Sequence, residues 1–184
     1  MQINRRTLLA AGAGLVSGAS LPAWAQLRIE ITGVGANQMP IAIPQFQGTN
    51  NAPLDLSTVV TADLERSGSF RALKVMGELP AEDIEKPRAK FWRTMGATAL
   101  VMGTIEKLPD TRYRVNYRLF GTVEDKVIDE KQFVVSSGDL RLTAHRIADA
   151  VYERLTGESG IFASRLAYVL QRGPASYELV VSDS

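Results

Sequence analysis

The sequence predicts an α/β sandwich, in which two to three helices cover a mixed sheet. Three observations carry this prediction: an unbroken apolar run at 99–103, an alternating segment at 113–119, and a helical apolar stripe over 139–156. An unbroken apolar run is typical of a strand buried on both faces, whereas alternation indicates a strand with one face in the core. Helices and strands that are mixed along one chain fold into packed layers.

The first 25 residues have the pattern of an export signal. Arg5 and Arg6 precede the uncharged stretch 8–21, and Ala23-Trp24-Ala25 is a small-x-small cleavage site before Gln26. The stretch is 14 residues long, which is shorter than the ~20 residues of a membrane-spanning helix. The paired arginines fit either a twin-arginine or a Sec signal. We expect cleavage between Ala25 and Gln26 and a mature chain in the periplasm.

The composition excludes several kinds of site. The sequence has no cysteine and a single histidine, His145, so disulfides, thiol nucleophiles and multi-histidine metal centres are excluded. The 21 basic and 20 acidic residues are not arranged in blocks, which argues against nucleic acid or anionic lipid as the main partner. Glu82, Asp83 and Glu85 lack the spacing of a calcium loop. We expect no metal, no cofactor and no small-molecule substrate.

The first half of the mature chain begins with two predicted strands. Residues 27–31 alternate, and 40–46 predict a second strand whose prolines put it at a sheet edge or give it irregular ends. Asp55 or Ser57 is expected to cap a helix that ends at Gly68 in the left-handed conformation. A strand at 70–76, a loop at 77–86 and a helix from Pro87 to about Met95 complete this half.

The second half predicts the centre of the sheet and its main helix. Residues 99–103 form the central strand, and 113–119 pair with 127–135 across a turn at 123–126. The helix Asp139–Thr156, capped by Ser137 or Asp139 and ended by Gly157, should anchor the core. Its apolar stripe comprises Leu140, Ala144, Ile147, Ala148, Val151 and Leu155.

Charged residues on the predicted hairpin have two interpretations. Three arginines on one strand could contact nucleic acid, but acidic residues lie on or beside the strand that pairs with it. We therefore expect cross-strand ion pairs. The arginines are Arg112, Arg114 and Arg118, and the acids are Glu124, Asp125, Asp129 and Glu130.

The last twenty residues predict two more strands, at 165–171 and 177–182, joined across Gly173-Pro174. An isolated hairpin is marginal in water. Two interpretations stay open: a hairpin that extends the domain's own sheet, or the opening of a second, incomplete domain. The predicted domains are 26–160 for the α/β domain and 161–184 for the start of the second.

Two segments together resemble the TolB family of Tol-Pal envelope proteins. Residues 144–157 and 160–169 closely resemble the junction between that family's amino-terminal domain and its propeller. Residues 62–70 resemble its first helix, and 91–103 resemble its buried-strand segment. Residues 27–31 and 40–46 resemble its mature amino terminus. The resemblance covers 26–183.

The resemblance implies an anticodon-binding-domain-like α/β domain followed by a six-bladed β-propeller. It also implies that the propeller binds the lipoprotein Pal and that the mature amino terminus engages TolA. A propeller blade has four strands, and this chain supplies at most two, so we expect Pal binding only if a full propeller is encoded downstream. The implied TolA-binding residues are Gln26, Leu27, Arg28, Ile29, Glu30, Ile31, Thr32, Gly33, Val34 and Gly35.

His145 is the one candidate for catalysis. It lies four residues before Asp149 on a predicted helix, so the two side chains can meet. A general base oriented by a carboxylate is one interpretation; we favour a helix-surface pair, because no serine or cysteine has a nucleophile-elbow context and the resembled family is not enzymatic. The predicted function is a non-enzymatic interaction module that links inner and outer membranes during cell division. The alternatives are a free-standing activator domain of a cell-wall synthase and an exported hydrolase that uses His145.

Overall fold

The computed structural model describes residues 38–183. These form a five-stranded mixed sheet with helices on both faces, followed by a separate two-stranded hairpin. The strand predicted at 27–31 lies outside the described residues. The strands are β1 Met39–Ala42, β2 Phe70–Leu73, β3 Ala99–Lys107, β4 Tyr113–Gly121, β5 Lys126–Val135, β6 Arg165–Gly173 and β7 Ser176–Asp183. The helices are α1 Leu56–Arg66, α2 Ala81–Glu85, α3 Ala89–Thr94 and α4 Leu140–Thr156.

The order of the sheet is β2-β1-β3-β4-β5. The strand β1 pairs in parallel with both β2 and β3, whereas β3, β4 and β5 are antiparallel. The parallel β1–β2 pair is connected through α1, as a parallel pair requires a crossover. The mixed α/β sandwich predicted from the sequence is confirmed.

The larger core lies on the face of the sheet that α1 and α4 cover. Leu140, Ile147 and Val151 are fully buried there, and Leu155 is partly buried, so the predicted stripe of α4 is confirmed. Tyr113, Val115, Tyr117 and Leu119 of β4 meet the helices from the sheet side. The apolar stripe of α4 is continuous because its members recur at the helical period. The apolar residues of β4 share one face because they alternate along the strand.

A smaller core lies on the opposite face, under α3. Trp92 packs there against Leu100, Met102 and Phe120. Residues 99–103 are consequently buried from both sides, as the apolar run predicts. The outer face of β4 is different, since Arg114, Asn116 and Arg118 are each only half-buried.

The helix ends agree in part with those predicted from the sequence. Asp55 caps α1 by accepting the backbone N–H of Ser57 at 3.0 Å, and Gly68 has the positive φ that was predicted. Gly157 ends α4 as expected, also with a positive φ. The expected side-chain cap of α4 is wrong. A short 3₁₀ turn, Ser137–Asp139, precedes that helix, and the Asp139 carboxylate accepts the Ser136 hydroxyl instead.

Three other expectations need correction. The second strand was predicted over 40–46, but β1 ends at Ala42 and isolated bridges of Gln45 and Gln47 follow it. Its prolines predicted an edge position or irregular ends; β1 lies inside the sheet and has an irregular carboxyl end. Pro40 is tolerated because it precedes the stretch paired with β3, and its carbonyl accepts the Thr98 N–H at 2.9 Å. The segment 77–86 contains α2 where a loop was predicted, and β2 ends at Leu73.

The predicted ion pairs are confirmed only for Arg118, which lies opposite Glu130 with 3.0 Å between Nε and Oε2. Arg114 instead pairs with Glu106 of β3, and Arg112 pairs with Asp110 in the turn. That local contact holds the pKa of Asp110 below its usual range. The strand register determines the partner of Arg114, because the residue paired with it is Glu106 on β3 and Val134 on β5.

The hairpin β6–β7 forms its own sheet, so the interpretation that it extends the domain's sheet is wrong. Val169 pairs with Leu179, and these side chains are 61% and 71% exposed. Among residues 38–183, no helix has the length and apolar character needed to cross a bilayer.

Candidate functional site

The predicted TolA-binding residues, 26–35, lie outside the described residues. The domain begins with β1, whose first residue, Met39, donates its backbone N–H to Ser69 at 2.9 Å and pairs with Phe70 of β2. The described part of the chain therefore begins at the amino end of an interior strand.

A cavity of about 500 Å³ lies at this end of the domain. Its lining includes Ser67 beyond α1, Tyr152 of α4, Phe162 from the chain that leads into the hairpin, and Leu166 of β6. The Tyr152 ring stands edge-on to Phe70 at 6.0 Å and to Phe162 at 5.8 Å between centroids. The three rings connect the amino end of β2 to the chain beyond α4. Edge-to-face pairs of this kind add stabilising energy to that of the buried apolar area.

The pair of His145 with Asp149 that the sequence predicted is wrong, because His145 contacts Asp63 instead. Its Nδ1 lies 2.6 Å from Oδ2 of Asp63 on α1, and both side chains are 3% exposed. The other carboxylate oxygen of Asp63 lies 3.3 Å from the exposed Arg66 guanidinium. His145 Nε2 is buried and has no hydrogen-bond partner within the described part of the chain. This pair is a polar connection between the two main helices.

Asp149 has a different role. Its two carboxylate oxygens accept the backbone N–H groups of Phe162 at 2.7 Å and of Ala163 at 3.1 Å. Spacing along one helix placed Asp149 near His145, but the helix is packed so that His145 faces α1 and Asp149 faces the chain that follows α4.

A second buried polar cluster was not predicted. The Tyr117 hydroxyl donates to Asp129, and Asp129 also lies 3.6 Å from Arg154 of α4 and 3.8 Å from Lys131. Burial, and then the neighbouring carboxylate, raise the pKa of Tyr117 well above its usual value. The cluster attaches the last turns of α4 to the sheet.

One signal in the sequence could have identified Asp63. It continues the apolar stripe of α1, three residues after Val60 and seven after Leu56, where an apolar residue is the norm. An acid at such a position needs a buried partner. With a single histidine in the chain, His145 was an available candidate.

One ring nitrogen of His145 is engaged by Asp63, and the other is enclosed and has no hydrogen-bond partner among residues 38–183. Within residues 38–183, no group of three metal-ligating side chains comes together.

Comparison with known proteins gives consistent matches. The family model of the TolB amino-terminal domain matches residues 27–128. "Tol-Pal system protein TolB" of Polaromonas naphthalenivorans is 44% identical over 178 residues, which is 97% of this chain and 40% of that protein. The protein of the same name from Nitrosomonas europaea is 42% identical over 179 residues, which is 97% of this chain and 42% of that protein.

A solved structure agrees with these matches. The crystal structure of TolB from Acinetobacter baumannii superimposes with a TM-score of 0.65 at 32% identity, covering 80% of this chain and 36% of that one. The chain thus spans about 40% of the length of the curated relatives that it matches. The match to the family model extends over more than half of the chain. The chain belongs to the TolB family.

Proposed function

We propose that this chain provides the amino-terminal interaction module of a periplasmic Tol-Pal protein, which helps to link inner and outer membranes during cell division. The observation that carries the proposal is the match of residues 27–128 to the TolB amino-terminal domain, together with relatives named for the Tol-Pal system. The module acts by binding other proteins, without catalysis or a cofactor.

The proposed partner of the amino-terminal segment is TolA. The segment 26–35 includes the alternating residues 27–31, a pattern suited to strand addition, and glycines at 33 and 35. The described domain that follows it is held from its first strand, since Met39 pairs with Phe70 and the Phe70 ring stands edge-on to Tyr152. Both features support a short segment that presents its backbone to a partner while the domain stays folded.

Deletion of 26–32 tests this partner. The deletion variant should lose capture of the carboxy-terminal domain of TolA in a pull-down and in calorimetry. The matched control carries residues 26–32 in scrambled order. It retains the length and composition of the segment and lacks only the alternating pattern. Both variants should keep the far-UV circular dichroism of the parent. Undiminished capture by the deletion variant would contradict the assignment to TolA.

Pal is proposed as a partner of the longer proteins and not of this module alone. The chain covers 40% of a relative 44% identical to it, and its hairpin has two strands where a propeller blade has four. We expect immobilised Pal to retain a full-length relative but not this chain. Retention of this chain at comparable affinity would place Pal binding in the amino-terminal domain instead.

The absence of catalysis is also testable. A broad hydrolytic screen should give the same background for the parent and for His145→Ala, because His145 Nε2 is enclosed. An activity that is present in the parent and absent from the folded variant would favour the hydrolase alternative.

A further inference from the structure

The chain that leaves α4 is held back against that helix by one carboxylate. Asp149 is half-buried, and it accepts the consecutive backbone N–H groups of Phe162 and Ala163. A further backbone hydrogen bond, from Ser164 N–H to the Ile161 carbonyl at 3.2 Å, closes the turn. Strand β6 begins at the next residue, Arg165.

Gly160 brings the backbone directly against α4. A Cβ added at Gly160 would lie 2.6 Å from Cα and 2.9 Å from Cβ of Asp149. Such approaches are closer than side chains tolerate, so only glycine allows the chain to pass at this point. The close approach and the two hydrogen bonds are therefore coupled, since a larger residue at 160 would push the turn away from Asp149.

Aromatic packing holds the same turn from its other side. Phe162, whose N–H binds Asp149, places its ring edge-on to Tyr152, one turn further along α4. Residues 160–163 thus contact α4 at two successive turns. Two points of attachment restrict the rotation of a chain segment far more than one point does, because the second contact removes the remaining rotational freedom.

We propose that Asp149 is a positioning residue that fixes the direction in which the β6–β7 hairpin leaves the α/β domain. Its carboxylate does so by accepting two adjacent N–H groups. An asparagine of the same shape has one acceptor oxygen, and its amide N–H₂ would face a backbone N–H. The orientation of the hairpin therefore depends on the two acceptor oxygens of one side chain. This inference stands independently of the proposed function.

Distances between spin labels test the proposal directly. The chain has no cysteine, so Arg146→Cys on α4 and Ala175→Cys at the hairpin turn give one labelled pair at two exposed positions. We expect a single narrow distance distribution in this parent. Asp149→Asn and Gly160→Ala should each add distances that the parent does not show, at unchanged helicity.

The matched control is Glu153→Gln, which removes a carboxylate from an exposed position one turn further along the same helix. It should reproduce the distribution of the parent. Amide exchange gives a second readout, since the Phe162 and Ala163 N–H groups should exchange about 10- to 100-fold faster in Asp149→Asn, as expected on losing hydrogen bonds to a charged acceptor.

Two results would overturn the proposal. One is a distance distribution in Asp149→Asn and Gly160→Ala that matches the control. The other is rapid exchange of the Phe162 and Ala163 N–H groups in the chain without substitutions, which needs no variant to fold. If Asp149→Asn unfolds, Gly160→Ala and the exchange measurement decide the question.

Discussion

The buried pair of Asp63 and His145 makes an asymmetric prediction about stability. His145→Leu leaves the Asp63 carboxylate enclosed, with only the guanidinium of Arg66 at 3.3 Å, and that side chain is 69% exposed. Exposed ion pairs contribute about 0–1 kcal/mol, so the contact with Arg66 does not compensate the Asp63 carboxylate for the loss of His145. Because both members of the pair are 3% exposed, we expect His145→Leu to lower the free energy of unfolding by about 3–5 kcal/mol, the usual cost of breaking a buried pair from one side.

The reciprocal change should cost less. Asp63→Leu leaves the buried His145 ring without its hydrogen-bond partner, and the cost of one unsatisfied polar group is about 1–3 kcal/mol. The double variant Asp63→Leu/His145→Leu removes both polar groups from the interface of α1 and α4. We expect its stability to lie within about 1–2 kcal/mol of the parent, since apolar replacements of buried pairs are often neutral or stabilising.

Urea unfolding at pH 7, followed by far-UV circular dichroism, measures all four members of this cycle. The buried Trp92 gives a second, fluorescent probe of the same transition. The reasoning would be refuted if the two single variants cost the same and their effects summed to that of the double variant within about 0.5 kcal/mol. The two side chains would then not be coupled, and the short contact would contribute nothing specific.

Three further predictions concern stability. Tyr117→Phe should make the free energy of unfolding less sensitive to alkaline pH. The pKa of Tyr117 is raised in the folded state, so the hydroxyl's contribution to stability is complete below pH 10 and is lost above it, by about 2 kcal/mol at pH 11.5. A parent and variant that lose stability in parallel in alkaline urea titrations would contradict this. Asp55→Ala should cost about 0.5–2 kcal/mol in thermal unfolding through loss of the α1 cap, whereas Ser136→Ala, which removes no helix cap, should cost less. Ile147→Ala should cost about 2–5 kcal/mol in urea, and a loss below 1 kcal/mol would mean that α4 does not anchor the core.

The main elements were predictable because the periodic signals are strong. The stripe of α4 recurs at the helical period through Leu140, Ile147 and Val151, and all three are fully buried. Residues 99–103 lie between two helical layers, as an unbroken apolar run indicates. These features depend on local periodicity together with burial, which a sequence displays directly.

The contacts of the polar residues were not predictable from local spacing. Asp149 is four residues from His145, but the partner of His145 is Asp63, 82 residues earlier in the chain. The four-residue spacing makes contact possible; the rotation of α4 against α1 decides whether it occurs. Similarly, α2 was missed because a single helical turn carries no apolar period, although Pro80 and two acids in its first turn were a usable signal.

The two central strands should differ sharply in their tolerance of substitution. In a scan of all single substitutions, residues 113–119 of β4 should show a two-residue rhythm, with changes accepted at Arg114, Asn116 and Arg118 and rejected at the intervening positions, because only one face of the strand is enclosed over this range. Residues 99–103 of β3 should show no rhythm at all, since helices lie over both of its faces. The pattern of permitted variation along a strand would thus report how many of its sides are covered.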